Sequence, residues 1–188
     1  TSGFNIGTNY SLSPEFNEMV GFTEEEVRQM LAYYASVLPF RHSVDELIEV
    51  MKPWYGNYCF DNSECGMAII YNPAMVLNFV DNYIQSNYEI PKKPCEVISS
   101  TDHEIVRQLI RYAKEFAHDS SIIEDIMTKG FALGYLLDIF PATSINTPDG
   151  ILSLLFNLGM VTIDGTYQSY TRFVITNEAM RKQMQTLI

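Results

Sequence analysis

Basic side chains are scarce in this sequence. Its 188 residues include 12 lysines and arginines against 23 aspartates and glutamates, which gives a formal net charge of −11. Proteins that bind nucleic acid draw most of their non-specific affinity from a positive face that neutralises phosphates. The composition therefore argues against nucleic-acid binding, and only a local basic patch is left open. The deficit is largest in residues 1–90, which hold twelve acidic and three basic residues.

Cysteine is also rare, since Cys59, Cys65 and Cys95 are the only three. A small odd number is typical of a reducing compartment and not of a disulfide framework, so we expect a cytoplasmic protein. There is no signal-peptide pattern, and no apolar run is long enough to cross a membrane. The chain begins at Thr1 without a methionine, and we expect it to be a fragment of a longer protein.

Motifs of catalysis are missing too. A P-loop places a lysine directly after its last glycine, and none of the 10 glycines here is followed by lysine. Leu136-Leu137-Asp138 imitates the end of a Walker B strand, but without a P-loop it is better interpreted as the edge of a helix or strand. Five residues separate Cys59 from Cys65 and no second pair follows, so no metal site is expected. We predict no catalytic residue in this chain.

Helix-start signals recur along the sequence. A capping box, in which a Ser or Thr precedes a Glu by three positions, occurs four times, at Thr23/Glu26, Ser43/Glu46, Thr101/Glu104 and Ser121/Glu124. Proline or glycine should end three of these helices: the first at Pro39, the second before Pro53 and the fourth at Gly130. Asn72 followed by Pro73 predicts a further helix, because proline is favoured at the first helical position.

The last third changes from helices to a mixed pattern. Thr147 and Pro148 predict a helix through Leu158, followed by a β-rich run at residues 160–163. Asp164-Gly165 is a hairpin signal, residues 171–175 form the returning strand, and Asn177 caps a closing helix. A helix followed by a two-stranded ribbon is typical of a winged helix.

The predicted fold class is mainly α: a helical lid-like subdomain followed by a winged-helix-like subdomain with a small antiparallel β-hairpin. The sequence Pro91-Lys92-Lys93-Pro94 is the best linker candidate, because two prolines keep it extended. We therefore predict one region over residues 1–94 and a second over residues 95–188.

Three groups of side chains invite a functional interpretation. Trp54, Tyr55, Tyr58 and Phe60 could stack on a base or a peptide, but wedging two helices together is favoured. Arg107 and Arg111 lie one helical turn apart and could reach a phosphate; pairing with Glu104 and Glu115 on a solvated face is the simpler interpretation. The possible wing holds the third group, Tyr167, Tyr170 and Arg172, which is weakly basic for a DNA-reading wing.

The sequence resembles the C-terminal half of the predicted AAA-ATPase-like family of Bacteroidetes and related bacteria. The matching segments are spread in family order along nearly the whole chain: TSGFNIGTN at residues 1–9, GFTEEEV at 21–27, KPWYGNYCF at 52–60, YNPAMVLNF at 71–79, SLLFNLGMVTIDG at 153–165 and VITNEAMR at 174–181. Two positions depart from the family: Gly56 stands where Asp is frequent, and residues 95–100 lack the usual Asp- and Asn-rich character.

The resemblance implies a larger protein in which a P-loop core precedes this chain. ATP and Mg²⁺ are then the cofactors of the parent protein, and Arg107 or Arg111 would contact nucleotide from the lid. Many family members end in a nuclease-like domain, but this chain lacks the Asp and Glu-x-Lys constellation of one. The implied partner is the P-loop core or another protein domain, and a homodimer is an alternative.

Two functions from different classes follow from these observations. The first is a non-catalytic regulatory part that packs on an ATPase core and couples nucleotide state to a neighbouring domain or partner. The alternative is a nucleic-acid-binding winged-helix module. Residues 148–158 contain no lysine or arginine, which makes this segment a poor recognition helix and favours the first function.

Overall fold

The structure is a computed structural model, which describes residues 18–60, 69–92, 108, 121–137 and 147–185. Within these ranges helices are in the majority and are accompanied by two small antiparallel sheets. No helix of the described part is both long enough and apolar enough to cross a membrane. The mainly helical class is therefore confirmed, and the sheets make the fold mixed.

The chain enters through a short strand, β1 (Phe22–Thr23), and the helix α1 (Glu24–Val37). The predicted capping box is confirmed: the Thr23 hydroxyl accepts from the Glu26 N–H, and the Glu26 carboxylate accepts from the Thr23 N–H. Strand β1 pairs antiparallel with β2 (Ile70–Tyr71), a pairing that no local sequence signal predicted.

Helix α2 (Val44–Tyr55) begins with the predicted box at Ser43 and Glu46. Its predicted end before Pro53 is wrong, because the helix continues through that proline. Pro53 lies in the last turn, where the loss of its N–H removes only one helical hydrogen bond. Burial of the Met51 and Tyr55 side chains keeps this turn helical.

Helix α3 (Pro73–Gln85) starts as predicted, with the Asn72 side chain accepting from the Met75 N–H and Pro73 in the first turn. It buries one stripe of side chains, namely Met75, Val76, Phe79, Val80 and Tyr83.

The C-terminal part alternates helices and strands. Helix α4 (Ser121–Lys129) ends at Gly130, whose φ of 84° is the left-handed cap that was predicted. Then follow β3 (Phe131–Gly134), α5 (Pro148–Asn157), β4 (Val161–Tyr167), β5 (Tyr170–Ile175) and α6 (Glu178–Gln185). The three strands form one antiparallel sheet in the order β3-β5-β4. The predicted hairpin is thus confirmed, and β3 extends it to three strands.

The turn of this hairpin is not at Asp164-Gly165, as predicted. The chain reverses at Gln168 and Ser169, which both have positive φ as a two-residue hairpin turn requires. Gly165, with a φ of 88°, instead lies in a register shift between Ile163 and Thr166. A glycine in this conformation is typical of a β-bulge, so Asp164-Gly165 fits a bulge as well as a turn.

One continuous core joins the two predicted regions. Buried side chains from α1, α2 and α3 belong to the same apolar cluster as those from α5, the sheet and α6. Helix α6 packs directly against α2. The boundary predicted between residues 94 and 95 and the helix predicted at Thr101 lie outside the described residues, so both stay predictions.

Candidate functional site

The predicted nucleotide-contacting residues, Arg107 and Arg111, lie outside the described residues, as does Asp138 of the Walker B-like run. Gln108, between the two arginines, is helical. Of the three histidines, His42 is described, and its Nδ1 lies 3.0 Å from the Tyr83 hydroxyl. The described residues include no group of three or more His, Cys, Asp or Glu side chains that could hold a metal ion.

A bridging segment, residues 56–60, connects the helical part, which comprises α1, α2 and α3, to the three-stranded sheet. The Tyr58 N–H donates to the Ile70 carbonyl at 3.2 Å, which anchors the segment beside β2. On its other side, the Thr162 hydroxyl accepts from the Cys59 N–H at 2.7 Å and donates to the Cys59 carbonyl at 3.0 Å. Asn57, held at a φ of 72°, donates from its side chain to the Thr176 carbonyl. Four polar groups of the segment make these contacts, one toward β2 and three toward β4 and the residue that follows β5.

Cys59 is disulfide-bonded, and its partner lies outside the described residues. The cysteine count favoured a reducing compartment over a disulfide framework, and the bond at Cys59 is at odds with that interpretation. The sulfur belongs to the bridging segment, where the side chain is buried. Cysteine spacing did not signal this bond, because a pairing in three dimensions needs only two cysteines that the fold brings together.

The aromatic group predicted from the sequence packs between elements, as the wedge interpretation proposed. Tyr55 contacts Phe79 of α3 edge to face, with ring centroids 6.0 Å apart. Phe60 contacts Phe156 of α5 in the same way and at the same centroid distance. The indole of Trp54 lies 4.3 Å from the Lys182 ammonium in α6, a cation–π contact.

Tyr58 and Phe60 also line a cavity of about 280 Å³ between the start of α3, the bridging segment and the end of α5. Burial raises the pKa of the Tyr58 hydroxyl, and hydrogen bonds with the side chains of Asn177 and Asn72 partly offset this rise. The hydroxyl therefore stays neutral at physiological pH. It cannot serve as a base there, but it can donate or accept a hydrogen bond.

A second feature is a partly exposed sheet surface, which we call the tyrosine face. Along β3 and β5 the buried side chains point to the core, and the alternate positions point outward: Phe131, Leu133, Tyr170, Arg172 and Val174. Tyr135, directly after β3, continues this surface. The rings of Tyr135 and Tyr170 lie 4.9 Å apart, and the Arg172 guanidinium lies 5.0 Å above the Phe131 ring. Phe131, Leu133 and Tyr135 were not among the predicted functional residues. The alternation of large and small side chains over residues 131–135, directly after Gly130, was the sequence signal for a strand here.

All four basic residues of positions 122–188 have a partner within the chain. Lys129 pairs with Asp125, Arg172 with Asp164 and Arg181 with Glu178. The fourth, Lys182, lies over the Trp54 ring. The C-terminal part therefore presents little free positive charge for phosphate groups.

Helix α5 is almost entirely enclosed. Every residue from Gly150 to Phe156 is buried, so neither side of the helix is free along that run. Such a helix can organise a core but cannot lay one face into the groove of a nucleic acid.

Comparison with known proteins finds no relative. No family model matches the chain, and no curated protein or solved structure matches it. The resemblance to the AAA-ATPase-like family therefore stays a prediction.

Proposed function

We propose that this chain is a non-catalytic regulatory part of an AAA-ATPase-like protein, which docks on a P-loop core and passes its nucleotide state to a neighbouring domain or partner. One observation carries the proposal: the tyrosine face exposes apolar and aromatic side chains on a sheet that shares its core with the helical part. Leu133, Tyr135 and Tyr170 are 37%, 48% and 41% exposed. Aromatic side chains of this kind are enriched in protein–protein interfaces.

The topology supports a winged-helix-like assignment of the C-terminal part. Among the described elements, a helix, a strand, a second helix and a two-stranded hairpin occur in that order from α4 to β5. The first strand joins the hairpin at its edge through β5, giving the order β3-β5-β4. In this assignment β4 and β5 form the wing, and α5 takes the place of the recognition helix.

The shared core supports a role in coupling. A regulatory part can report nucleotide state only if it makes different contacts in the two states and transmits the difference. Helix α6 packs on α2, and the bridging segment holds both β2 and β4. A displacement at the tyrosine face would therefore be passed to α1–α3 through these packed contacts.

The rival function, nucleic-acid binding, fits the geometry less well. The helix that would read bases is buried, and Arg172 in the wing is paired with Asp164. The net charge of −11 would also repel a polyanion. We therefore favour a protein partner, the P-loop core, over a nucleic acid.

The test uses the complete gene product. Its sequence must contain a P-loop before the segment that begins at Thr1, and the absence of one refutes the proposal. Hydrogen exchange is then measured with Mg-ADP and with a non-hydrolysable Mg-ATP analogue. We expect the protection of residues 131–135 and 170–174 to differ between the two nucleotides.

Two matched variants locate the docking surface. Leu133→Asp places a charge on the tyrosine face and should abolish the nucleotide-dependent difference in protection. Leu77→Asp places the same charge on the exposed side of α3, where Leu77 is 48% exposed, and should leave the difference intact. Equal behaviour of the two variants would refute docking through this face.

Nucleotide binding by the isolated chain is a separate test. A ligand that binds only the folded state raises the melting temperature as its concentration increases. We expect no change in melting temperature with Mg-ATP, because the P-loop would lie outside this chain. A dose-dependent rise would contradict the accessory role.

A further inference from the structure

The cavity beside the bridging segment has walls of a distinct chemistry. Four aromatic rings line it, those of Tyr58, Phe60, Tyr71 and Phe156. Phe60 and Tyr58 stack with an interplanar angle of 20°, and Phe156 meets Phe60 edge to face. These contacts fix the rings against one another, so the wall is preformed.

No charged side chain is among the described residues that line the cavity. An anion or cation that enters the cavity would gain no counter-charge from these residues in return for the hydration that it loses. The polar side chains in the described lining are neutral: those of Tyr58, Tyr71, Asn72 and Asn157. A ligand of this site would therefore make mainly apolar contacts, and a few hydrogen bonds would orient it.

We propose that this cavity binds a small, neutral aromatic molecule with one or two fused rings. Size supports this class, because an apolar cavity of about 150 Å³ accommodates benzene. The volume here, about 280 Å³, leaves room for a bicyclic ring. A ring can stack on the aromatic wall and direct a polar N–H or O–H toward Asn72 or the Tyr58 hydroxyl.

The cavity lies where the helical part and the C-terminal part meet, so a bound ligand would affect the packing of the whole fold. Its walls come from the start of α3, the bridging segment and the end of α5, so a bound ring contacts the helical part and the C-terminal part together. Occupancy should stabilise their packing. Ligand binding in this cavity requires no P-loop core, so its test is independent of the test of the function proposed above.

Indole serves as the probe, and indole-3-acetate is its charged counterpart. The melting temperature of the chain is measured against the concentration of each compound, and NMR records contacts from indole protons to tyrosine and phenylalanine rings. We expect a dose-dependent rise and ring contacts with indole, and at least a tenfold weaker effect with indole-3-acetate. No rise with indole, or an equal response to both compounds, would overturn the proposal.

Two matched substitutions test the location. Val20 lines the cavity and is 71% exposed, so Val20→Trp should fill its edge and remove the response to indole. Val37, at the end of α1, is 61% exposed and does not line the cavity, so Val37→Trp should retain the response. If Val20→Trp fails to fold, Asn157→Phe fills the cavity from an exposed position on α5. Retention of the response in a folded filling variant would overturn the proposed site.

Discussion

Asn177 donates a hydrogen bond from its side-chain Nδ2 to the carbonyl of Gly56 at 3.1 Å, across 121 positions of the chain. The Oδ1 of the same side chain accepts from the Met180 N–H at 3.1 Å and so caps α6. One buried amide thus starts the last helix and holds the bridging segment against it. Capping explains why Asn is suitable here, and the long-range bond explains why the side chain is buried.

Replacing Asn177 by alanine should destabilise the fold by about 2–4 kcal/mol. About 1 kcal/mol comes from the lost cap, and the rest comes from a buried carbonyl left without its donor. Urea unfolding of the two proteins measures the difference. Asn78→Ala, at an exposed position of α3, should change the free energy of unfolding by less than about 0.5 kcal/mol. A similar small change for Asn177→Ala would contradict the bridging role.

Thr162→Val should cost about 2–3 kcal/mol although valine has nearly the same shape. The Thr162 hydroxyl satisfies both the N–H and the carbonyl of Cys59, and valine leaves both buried groups without that partner. Thr162→Ser retains the hydroxyl, so its loss in the free energy of unfolding should be less than half of the loss in Thr162→Val. Chemical unfolding of both variants measures these two losses. Equal losses of unfolding free energy would show that the methyl group, and not the hydroxyl, stabilises the fold.

Gly159→Ala should destabilise the protein more than Gly165→Ala. Both glycines have positive φ, 69° and 88°, so alanine pays a backbone cost of about 1–2 kcal/mol at either position. A Cβ on Gly159 would also lie 3.2 Å from the Tyr58 ring, whereas one on Gly165 would meet nothing within 4 Å. The difference between the two melting temperatures isolates the contact with Tyr58. Identical melting temperatures would mean that the ring moves aside freely.

Glu24 should make stability depend on pH in the acid range. Burial alone would raise the pKa of this carboxyl, but hydrogen bonds and charge from Arg28 and Lys52 outweigh it and lower the pKa below the ordinary 4.5. A lowered pKa gives stability that is present above the unfolded value and is lost as the pH falls through the folded one. The free energy of unfolding should therefore decrease below about pH 4.5.

Glu24→Gln removes that acid-dependent contribution. Near neutral pH we expect a loss of roughly 1 kcal/mol, since the ion pairs are partly exposed, and a smaller gap between variant and parent at pH 3. Thermal unfolding as a function of pH measures the gap. Glu49→Gln, at an exposed position of α2, is the control, and a gap that stays constant with pH would refute the assignment.

Local sequence signals predicted the starts of helices well. They failed where the same residues are compatible with two different backbone structures. The caps at Thr23, Ser43, Asn72 and Asn177 were predicted because a cap involves only four or five consecutive residues. The end of α2 at Pro53 was wrong, because burial of Tyr55 outweighed the loss of one hydrogen bond. Asp164-Gly165 was wrong as a turn, because a glycine with positive φ is equally suited to a bulge.

The candidate site was much less predictable. The aromatic group of residues 54–60 was singled out correctly as packing material, yet nothing local indicated the cavity beside it. Its walls come from α3, the bridging segment and α5, which are far apart in the sequence. Likewise, the tyrosine face exists only because β3 joins the hairpin through β5.

The sequence by itself determined the helical majority, most of the helix starts, the hairpin strands and the deficit of positive charge. All of these depend on composition or on residues within one helical turn or one strand pair. Tertiary structure alone decided which strand sits at the sheet edge, how α6 returns to α2, and where the aromatic rings leave a cavity. Those outcomes depend on burial between distant segments, since the free energy gained there exceeds any local preference.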